Sequence, residues 1–316
     1  MENKKAILKV ENLKQYFKVD KKTIVKAVDD VSFEIYEGET FSVVGESGSG
    51  KSTLGRSIIK IYDDYQGSVE FDGQSISEDL STKDIRYVRK NMQMIYQDPM
   101  ASLNPRKKVL DIVAYGLENN EKMSAKNKKE KVIKSLADVG LSENFLNRYP
   151  HQFSGGQRQK IGIARSLILD PKFVIADEII SALDVSIQAQ VINLMKKLQK
   201  ERNLTYMFIA HDLSMVRSIS DRVAVMHLGH IVELGTVDDI YNNPIHPYTK
   251  SLLSAIPLPD PKSERERVRV LYNKENVDYK NAEKFDLSDS HQILATKSDL
   301  KLWQDNNYQN TLKEIV

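Results

Sequence analysis

The chain has 316 residues and no cysteine, and its 46 basic and 44 acidic side chains give a formal net charge of +2. The missing cysteines exclude disulfides, cysteine nucleophiles, zinc ribbons and cysteine-ligated iron–sulfur clusters, and the near-balanced charge argues against a nucleic-acid-binding protein. Because no apolar run approaches the ~20 residues of a membrane span and no signal-peptide core is visible near residue 1, we expect a soluble, intracellular protein unless a partner holds it at a membrane.

The first part of the chain predicts mainly strands. Val31, Phe33 and Ile35 alternate with polar neighbours, which is the period of a half-buried strand. Further strand candidates lie at 41–44, 67–73 and 92–96. One helix is predicted among them, at 53–60.

The middle of the chain is predominantly helical in pattern, from about residue 107 to 169. Strand-like runs return at 173–176 and 205–210, and a long amphipathic helix is predicted between them over 185–202. Residues 221–235 predict a hairpin around Leu228 and Gly229. This alternation predicts an α/β sheet that is interrupted by a helical insert.

A cluster of prolines marks the predicted end of the main domain. Pro257, Pro259 and Pro261 stand close together, so we divide the chain into residues 1–256 and a C-terminal extension, 257–316. The extension is polar and weakly patterned, and it holds the single tryptophan, Trp303. The simpler interpretation is a partly ordered appendix, and the alternative is a regulatory or partner-docking role.

A phosphate-binding loop follows the apolar run 41–44. The pattern G-x-x-x-x-G-K-[ST] is matched in full by Gly45, Glu46, Ser47, Gly48, Ser49, Gly50, Lys51 and Ser52, and Thr53 follows. Glycines let backbone N–H groups turn inward around phosphate oxygens, and the next helix adds its positive end. Lys51 is placed to reach the β- and γ-phosphates, and Ser52 to ligate Mg²⁺. A strand before and a helix after favour this site over a plain flexible turn.

Two carboxylates, Asp177 and Glu178, end the apolar run that begins at Phe173. Alone, such a pair is usually a helix cap. Because the same chain also carries a phosphate-binding loop, we predict that Asp177 holds Mg²⁺ and that Glu178 is the general base for the attacking water.

Further motifs resemble those of the ATP-binding cassette (ABC) family. Residues 153–157, Phe-Ser-Gly-Gly-Gln, are similar to the family signature L-S-G-G-Q, and the signature helix continues to Arg165. The other motifs follow in family order, with Gln97 as the Q-loop, 181–184 as the D-loop and His211 as the switch histidine. Six motifs in this order leave a chance match negligible.

The resemblance implies an α/β P-loop NTPase fold. Its parts are an N-terminal antiparallel β subdomain, a RecA-like core sheet, a helical subdomain over about 100–170 and a short C-terminal extension. It implies ATP and Mg²⁺ as cofactors, with Gln97 and His211 as catalytic residues beside Glu178. It also places Gln97 with Ser52 and Asp177 at the metal.

The resemblance further implies a nucleotide site that is shared between two subunits. The residues that would face the nucleotide on the partner's phosphate loop are Ser154, Gly155, Gly156, Gln157 and Asp184. An aromatic residue upstream of the loop stacks on adenine in the family. Phe17 is the first candidate for this and Tyr16 the second, and a core role for either stays open.

Two segments, 96–106 and 243–257, resemble the oligopeptide/dipeptide importer branch, and the likeness to the F-type ATPase of an oligopeptide permease covers about residues 7–260. This implies a heterodimer with a homologous D-type ATPase, two transmembrane permeases and an extracellular peptide-binding protein. It implies a peripheral position on the cytoplasmic face of the cell membrane and no nucleic acid. An importer for dipeptides, metal chelates or glycosides and a soluble ABC ATPase acting on nucleic acid are the alternatives.

Two departures from the family pattern stand out. Ile179 and Ile180 replace the usual proline after the carboxylates, which leaves the turn less fixed. Without cysteines, the iron–sulfur cluster of some relatives cannot form.

The segment after Gln97 is predicted to form a groove for a permease helix. Met100, Ala101 and Leu103 supply apolar surface there, as in a helix-in-groove contact. The alternative is a surface loop whose apolar residues cover the core.

Overall fold

The computed structural model describes residues 5–305 except 121–122, 182, 258–269, 271 and 273–278. The strands are β1 (Ala6–Lys18), β2 (Ile24–Tyr36), β3 (Thr40–Val44), β4 (Gln66–Phe71), β5 (Gln74–Ser75), β6 (Met92–Ile95), β7 (Phe173–Asp177), β8 (Thr205–Ala210), β9 (Arg222–His227), β10 (His230–Thr236), β11 (Glu283–Asp286) and β12 (Gln292–Ala295). Across these described ranges, no helix has the length and apolarity that a membrane crossing requires.

The helices are α1 (Lys51–Ile58), α2 (Thr82–Asn91), α3 (Pro99–Ser102), α4 (Val109–Asn120), α5 (Ala125–Asp138), α6 (Gly155–Leu167), α7 (Val185–Arg202), α8 (Leu213–Ile219), α9 (Val237–Asn242), α10 (Pro247–Ser254) and α11 (Lys297–Gln304). Short 3₁₀ turns lie at Glu143–Phe145 and Pro150–Gln152.

The core sheet positions the candidate site. Its strand order is β11-β12-β10-β9-β3-β8-β7-β6, and the pairs from β9 to β6 are parallel. Every residue of β3, β7 and β8 is buried, as expected for central parallel strands that are covered on both faces. Because parallel strands end at the same edge, the segments that follow β3, β7 and β8 meet there.

A second, antiparallel sheet covers one side of this core in the order β2-β1-β4-β5. The predicted alternation in the first strands is confirmed, because Val31, Phe33 and Ile35 are all buried there. Helices α3 to α6 form the predicted helical insert between β6 and β7.

Two other predicted elements are confirmed closely. The long amphipathic helix is α7, which ends at Asn203 in the left-handed conformation (φ 50°), a common way to stop a helix. The predicted hairpin is β9–β10, with Leu228 and Gly229 at φ 46° and 87°. Positive φ at both turn residues matches the right-handed twist of a two-residue hairpin.

The C-terminal extension contains more regular structure than its weak pattern predicted. Strand β12 pairs antiparallel with β10, and β11 pairs with β12, so both strands continue the core sheet. Each strand has only four residues, and β10 supplies the pairing partner that joins β12, and through it β11, to the sheet. Local sequence does not reveal that partner. The division of the chain after residue 256 stays a prediction.

Candidate functional site

The phosphate loop lies against the backbone of two neighbouring elements. Gly45 has φ 152°, and a Cβ there would lie 2.1 Å from the carbonyl oxygen of Met226. Gly50 has φ 105°, and its Cβ would lie 2.0 Å from the carbonyl oxygen of Ala27. A side chain at either position would force the backbone apart, so this loop conformation requires both glycines.

Lys51 is the first residue of α1, and its side chain reaches back to the loop that precedes the helix. Its side chain is buried, and Nζ donates to the carbonyl oxygens of Gly45 and Glu46, both at 2.8 Å. Burial lowers the pKa of Lys51, while the charges of Glu178 and Asp177 act in the opposite direction. The ammonium group is therefore held close to the loop backbone, where phosphate oxygens would bind.

Asp177 and Ser52 form a buried pair of oxygen donors. Asp177 is fully buried, and its Oδ1 accepts a 2.7 Å hydrogen bond from Ser52 Oγ. Among the described residues its Oδ2 accepts no hydrogen bond and lies 3.6 Å from Arg56 Nη2. Burial raises the pKa of Asp177. A hydroxyl and a carboxylate with one unbonded, buried oxygen suit a small divalent cation such as Mg²⁺.

The three residues predicted to be catalytic lie together. Glu178 Oε2 accepts a 2.9 Å hydrogen bond from Gln97 Nε2 and is 3.4 Å from His211 Nδ1. Glu178 has φ 47°, an uncommon value for a residue other than glycine. Its N–H donates to Ile209 of β8 at 2.9 Å. The ends of β6, β7 and β8 thus bring an amide, a carboxylate and an imidazole to one point.

A cleft of about 380 Å³ opens beside these groups. Its lining includes the phosphate loop, Gln97 and Glu178, together with Val25, Lys26, Ala27, Leu228 and Gly229. The last five residues were not predicted from the sequence, because the antiparallel sheet and the hairpin turn approach the loop only in the fold. Gly229 N–H donates to the Ser49 carbonyl at 3.0 Å.

Arg56 is a further residue that the sequence analysis missed. Its guanidinium forms an ion pair with the buried Asp177 carboxylate, with 3.6 Å between Arg56 Nη2 and Asp177 Oδ2. The spacing of four residues from Ser52 places both on one face of α1, which is the signal that could have identified it.

The signature residues lie outside the cleft. Ser154 caps α6, where its Oγ accepts from Gln157 N–H at 3.4 Å and Gln157 Oε1 accepts from Ser154 N–H at 3.1 Å. Ser154 and Gly155 are exposed, and so is Asp184 at the start of α7. A Cβ on Gly156 would lie 2.7 Å from Ile187 Cγ2. The structure therefore does not bring Ser154, Gly155, Gly156, Gln157 or Asp184 to the phosphate loop of the same chain.

The two aromatic candidates near the cleft differ in their contacts. Tyr16 donates its hydroxyl hydrogen to Asp29, and the ammonium of Lys26 lies 5.0 Å from its ring. Phe17 is half-buried and pairs in register with Val25, which lines the cleft. Tyr16 pairs in register with Lys26, which also lines the cleft, so strand register does not separate the two and both remain candidates.

The structure corrects the prediction for Leu103. Leu103 is 1% exposed and belongs to the main apolar core, whereas Met100 is 49% exposed and Ala101 is also exposed. Helix α3 ends at Ser102, whose carbonyl accepts a hydrogen bond from Arg165, and the chain then turns inward. Leu103 therefore supports the core and does not line a surface groove.

Ile179 and Ile180, which stand where the resemblance implies a proline, are both buried. They are 1% and 3% exposed and pack into the main core. Burial of two large apolar side chains fixes the segment after Glu178.

Comparisons with known proteins connect this site to a family. The sequence profile described as ABC transporter matches residues 28–181, and the profile described as oligopeptide/dipeptide transporter, C-terminal region, matches 232–281. An oligopeptide transport ATP-binding protein of Streptococcus mutans is 54% identical over 305 residues, 96% of this chain and 99% of that protein. One of Bacillus subtilis is 56% identical over 93% of this chain and 98% of its own length. A dipeptide transport ATP-binding protein of Lactococcus lactis is 51% identical over 97% of this chain and 99% of its own length.

Solved structures show the same fold. A dimeric ATP-binding cassette in a post-hydrolysis state with ADP and Pi has a TM-score of 0.66 and 29% identity, over 73% of this chain and 98% of that one. A cassette from an ABC transporter complex of Clostridium perfringens also has a TM-score of 0.66, with 28% identity over 75% of this chain and 91% of that one.

The position of Lys51 yields a prediction about nucleotide binding. Lys51→Ala removes the cation at the loop, so ATP affinity should fall about 10- to 100-fold, the range of a charged hydrogen bond. Titration of the full chain with a fluorescent ATP analogue measures this. Lys60→Ala is the matched control, because Lys60 bonds the carbonyl of Glu78 near the other end of α1 and lies outside the cleft. Equal affinity in both variants would contradict the site.

Proposed function

The chain belongs to the ABC transporter family of ATP-binding proteins, and from that premise we propose that it binds and hydrolyses ATP to power the import of oligopeptides. The observation that carries the chemistry is the meeting of Lys51, the Ser52–Asp177 pair and Glu178 at one edge of the core sheet. The proposed cargo is supported by relatives that are named for oligopeptide transport and more than 50% identical.

ATP binding would use the loop and the first turn of α1. The proposed binding residues are Gly45, Glu46, Ser47, Gly48, Ser49, Gly50, Lys51, Ser52 and Thr53. The N–H groups of the loop and the positive end of α1 would bind phosphate oxygens. Lys51 would exchange the carbonyls it now contacts for the β- and γ-phosphates. Phe17 would stack on adenine beside Val25.

Mg²⁺ would bind next to the phosphates and neutralise part of their charge. Ser52 and Asp177 would hold it, with Gln97 as a third ligand. Support comes from the unbonded, buried Oδ2 of Asp177 and from the 2.7 Å contact between the two donor groups. These oxygen donors suit a hard cation.

Hydrolysis would depend on the Glu178 carboxylate as the general base. Gln97 and His211 both lie within 3.4 Å of its Oε2, so they would orient the carboxylate toward the attacking water. The left-handed backbone of Glu178 and its N–H bond to β8 fix where that side chain starts.

The exposed signature segment supports a shared nucleotide site. Ser154 and Gly155 lie at the N-terminus of a 13-residue helix and face solvent, where a partner's γ-phosphate would meet N–H and O–H donors. We assign that role to Ser154, Gly155, Gly156, Gln157 and Asp184. The proposed partner is a homologous D-type ATPase subunit that forms a heterodimer with this chain.

The complete transporter would contain two membrane permeases and an extracellular peptide-binding protein. This chain would lie on the cytoplasmic face of the cell membrane as a peripheral subunit, with residues 1–256 as the ATPase domain and 257–316 as an extension. Dipeptides are the second candidate cargo, because a 51% identical relative is named for dipeptide transport. Uptake of labelled di- and pentapeptides by cells that carry the transporter distinguishes the two.

Replacement of the proposed base tests the hydrolysis mechanism. Glu178→Gln keeps the size of the side chain and its hydrogen bonds but cannot accept the proton. ATP turnover by the assembled complex should fall about 10²-fold or more, while the ATP dissociation constant stays within about two-fold. Wild-type turnover in this variant would show that another group is the base.

A bulky residue in the signature tests the shared site. Ser154→Arg should leave ATP binding to the isolated chain unchanged but reduce ATP-dependent dimer formation, because the new side chain would occupy the partner's γ-phosphate position. Ser124→Arg is the matched control, since Ser124 is an exposed cap of another helix in the same insert. If the isolated Ser154→Arg chain lost ATP binding while the isolated Ser124→Arg chain kept it, that result would contradict the shared site.

Because Leu103 is buried, Met100 is the exposed apolar side chain with which to test the predicted permease contact after Gln97. Met100→Asp places a charge on an exposed apolar side chain, so permease association and transport should fall while ATP binding persists. Leu302→Asp, at a residue with 50% exposure in α11, controls for the added charge. Normal peptide uptake with Met100→Asp would remove this surface from the permease contact.

The buried neighbour is expected to behave differently. Leu103→Asp should lower the free energy of unfolding by about 3–5 kcal/mol, because it buries an unpaired charge in the core. Urea unfolding measures that loss, and a stability equal to that of Met100→Asp would contradict the buried position.

A further inference from the structure

Tyr248 connects the C-terminal part of the chain to the phosphate loop. It lies on α10, inside the segment 243–257 that distinguishes this branch, and no role in the proposed reaction has been given to it. Its side chain is 1% exposed. Its hydroxyl oxygen accepts a 3.0 Å hydrogen bond from the N–H of Glu46, the second residue of the loop.

The two sides of Glu46 are bonded to different groups. Its N–H donates to Tyr248, and its carbonyl oxygen accepts a 2.8 Å hydrogen bond from Lys51 Nζ. One residue of the loop therefore lies between the tyrosine hydroxyl and the ammonium group proposed to bind phosphate. The N–H bonded to Tyr248 belongs to the Gly45–Glu46 peptide, and the carbonyl oxygen of that peptide, the one of Gly45, also accepts a 2.8 Å hydrogen bond from Lys51 Nζ. Tyr248 and Lys51 are therefore bonded to the same peptide group.

The tyrosine hydroxyl is suited to a fixed contact. Burial raises the pKa of Tyr248 to about 12, so the hydroxyl is neutral at physiological pH and presents lone pairs to an N–H donor. Its own backbone N–H donates to His246 Nδ1 at 3.1 Å, which fixes the first turn of α10.

Aromatic side chains of β9 and of the C-terminal extension pack against the ring of Tyr248. His227, the last residue of β9, lies 4.1 Å from it between ring centroids, and Tyr272 of the extension lies 5.3 Å away, edge to face. Tyr279 makes a 2.7 Å hydrogen bond with His227 Nδ1. Trp303 packs edge to face on His246 at 4.8 Å.

We propose that Tyr248 is a positioning residue for ATP binding: its hydroxyl fixes the Glu46 peptide of the phosphate loop, and Tyr272 of the extension holds its ring in place. The extension then contributes to nucleotide affinity without touching the nucleotide. This inference rests on the proposed nucleotide site at the same loop.

Removal of the single hydroxyl tests the contact. Tyr248→Phe should raise the ATP dissociation constant of the full chain about 2- to 12-fold, the effect of losing one neutral hydrogen bond. In the assembled transporter the KM for ATP should rise by the same factor with kcat unchanged, because Glu178 and its partners keep their geometry.

Tyr241→Phe is the matched control. Tyr241 is a partly buried tyrosine of α9 whose hydroxyl donates to the carbonyl oxygen of Leu213, away from the phosphate loop. Both variants should lose similar thermal stability, but only Tyr248→Phe should lose ATP affinity. Equal ATP affinities in the two variants would overturn the proposal.

Two further variants separate the parts of the inference. Lys51→Ala weakens ATP binding if the nucleotide site itself is correct, so a normal affinity there would reject the site and not only Tyr248. Tyr272→Leu removes the edge contact from the extension and should raise the ATP dissociation constant in the same direction as Tyr248→Phe. Unchanged affinity in Tyr272→Leu, with weakened affinity in Tyr248→Phe, would overturn the role of the extension.

Discussion

The close approach of the phosphate loop to two other backbone segments is the constraint on which the rest of the site depends. Carbonyl oxygens of Ala27 and Met226 lie where a side chain at Gly50 or Gly45 would otherwise stand. The antiparallel sheet supplies the first of these oxygens and β9 the second. Glycine at both positions lets the loop pack directly on both sheets, and the loop is also bonded to the hairpin turn, where Gly229 N–H donates to the Ser49 carbonyl at 3.0 Å.

Charge and burial oppose each other at this site. Burial raises the pKa of Asp177 and lowers that of Lys51, which disfavours the charged form of each. Each charge in turn favours ionisation of the other, and Arg56 adds a further positive charge near Asp177. Water is largely excluded from both groups, so a bound cation and phosphate would interact with them in a region of low effective dielectric.

Much of this site could be predicted from the sequence because its motifs are local. The phosphate loop, Asp177 and Glu178 each follow a short apolar run, and parallel strands bring such positions to one edge. Residues that approach through the fold gave no local signal. Examples are Ala27, Gly229 and Tyr248, which contact the loop from segments that are distant in the chain.

Leu103 shows the corresponding error in the helical region. Leu103 follows the exposed Ala101 by two positions. An apolar residue at such a position can line a surface groove or turn into the core, and the sequence alone does not distinguish these two placements. The backbone turn after α3 and the bond from Arg165 to Ser102 place Leu103 inside. The two short strands of the extension were missed for a similar reason, because β12 pairs with the distant β10, and β11 pairs with β12.

The residues proposed to face a partner also form one packed unit within this chain. A Cβ on Gly155 would contact Leu183, and one on Gly156 would approach Ile187 to within 2.7 Å. The start of α6 therefore packs closely against the segment before α7 and against the first turn of α7. Since Glu178 lies in the segment that leads into α7, and its Oε2 is bonded to Gln97, the surface offered to a second subunit is joined through a short stretch of chain to the proposed base.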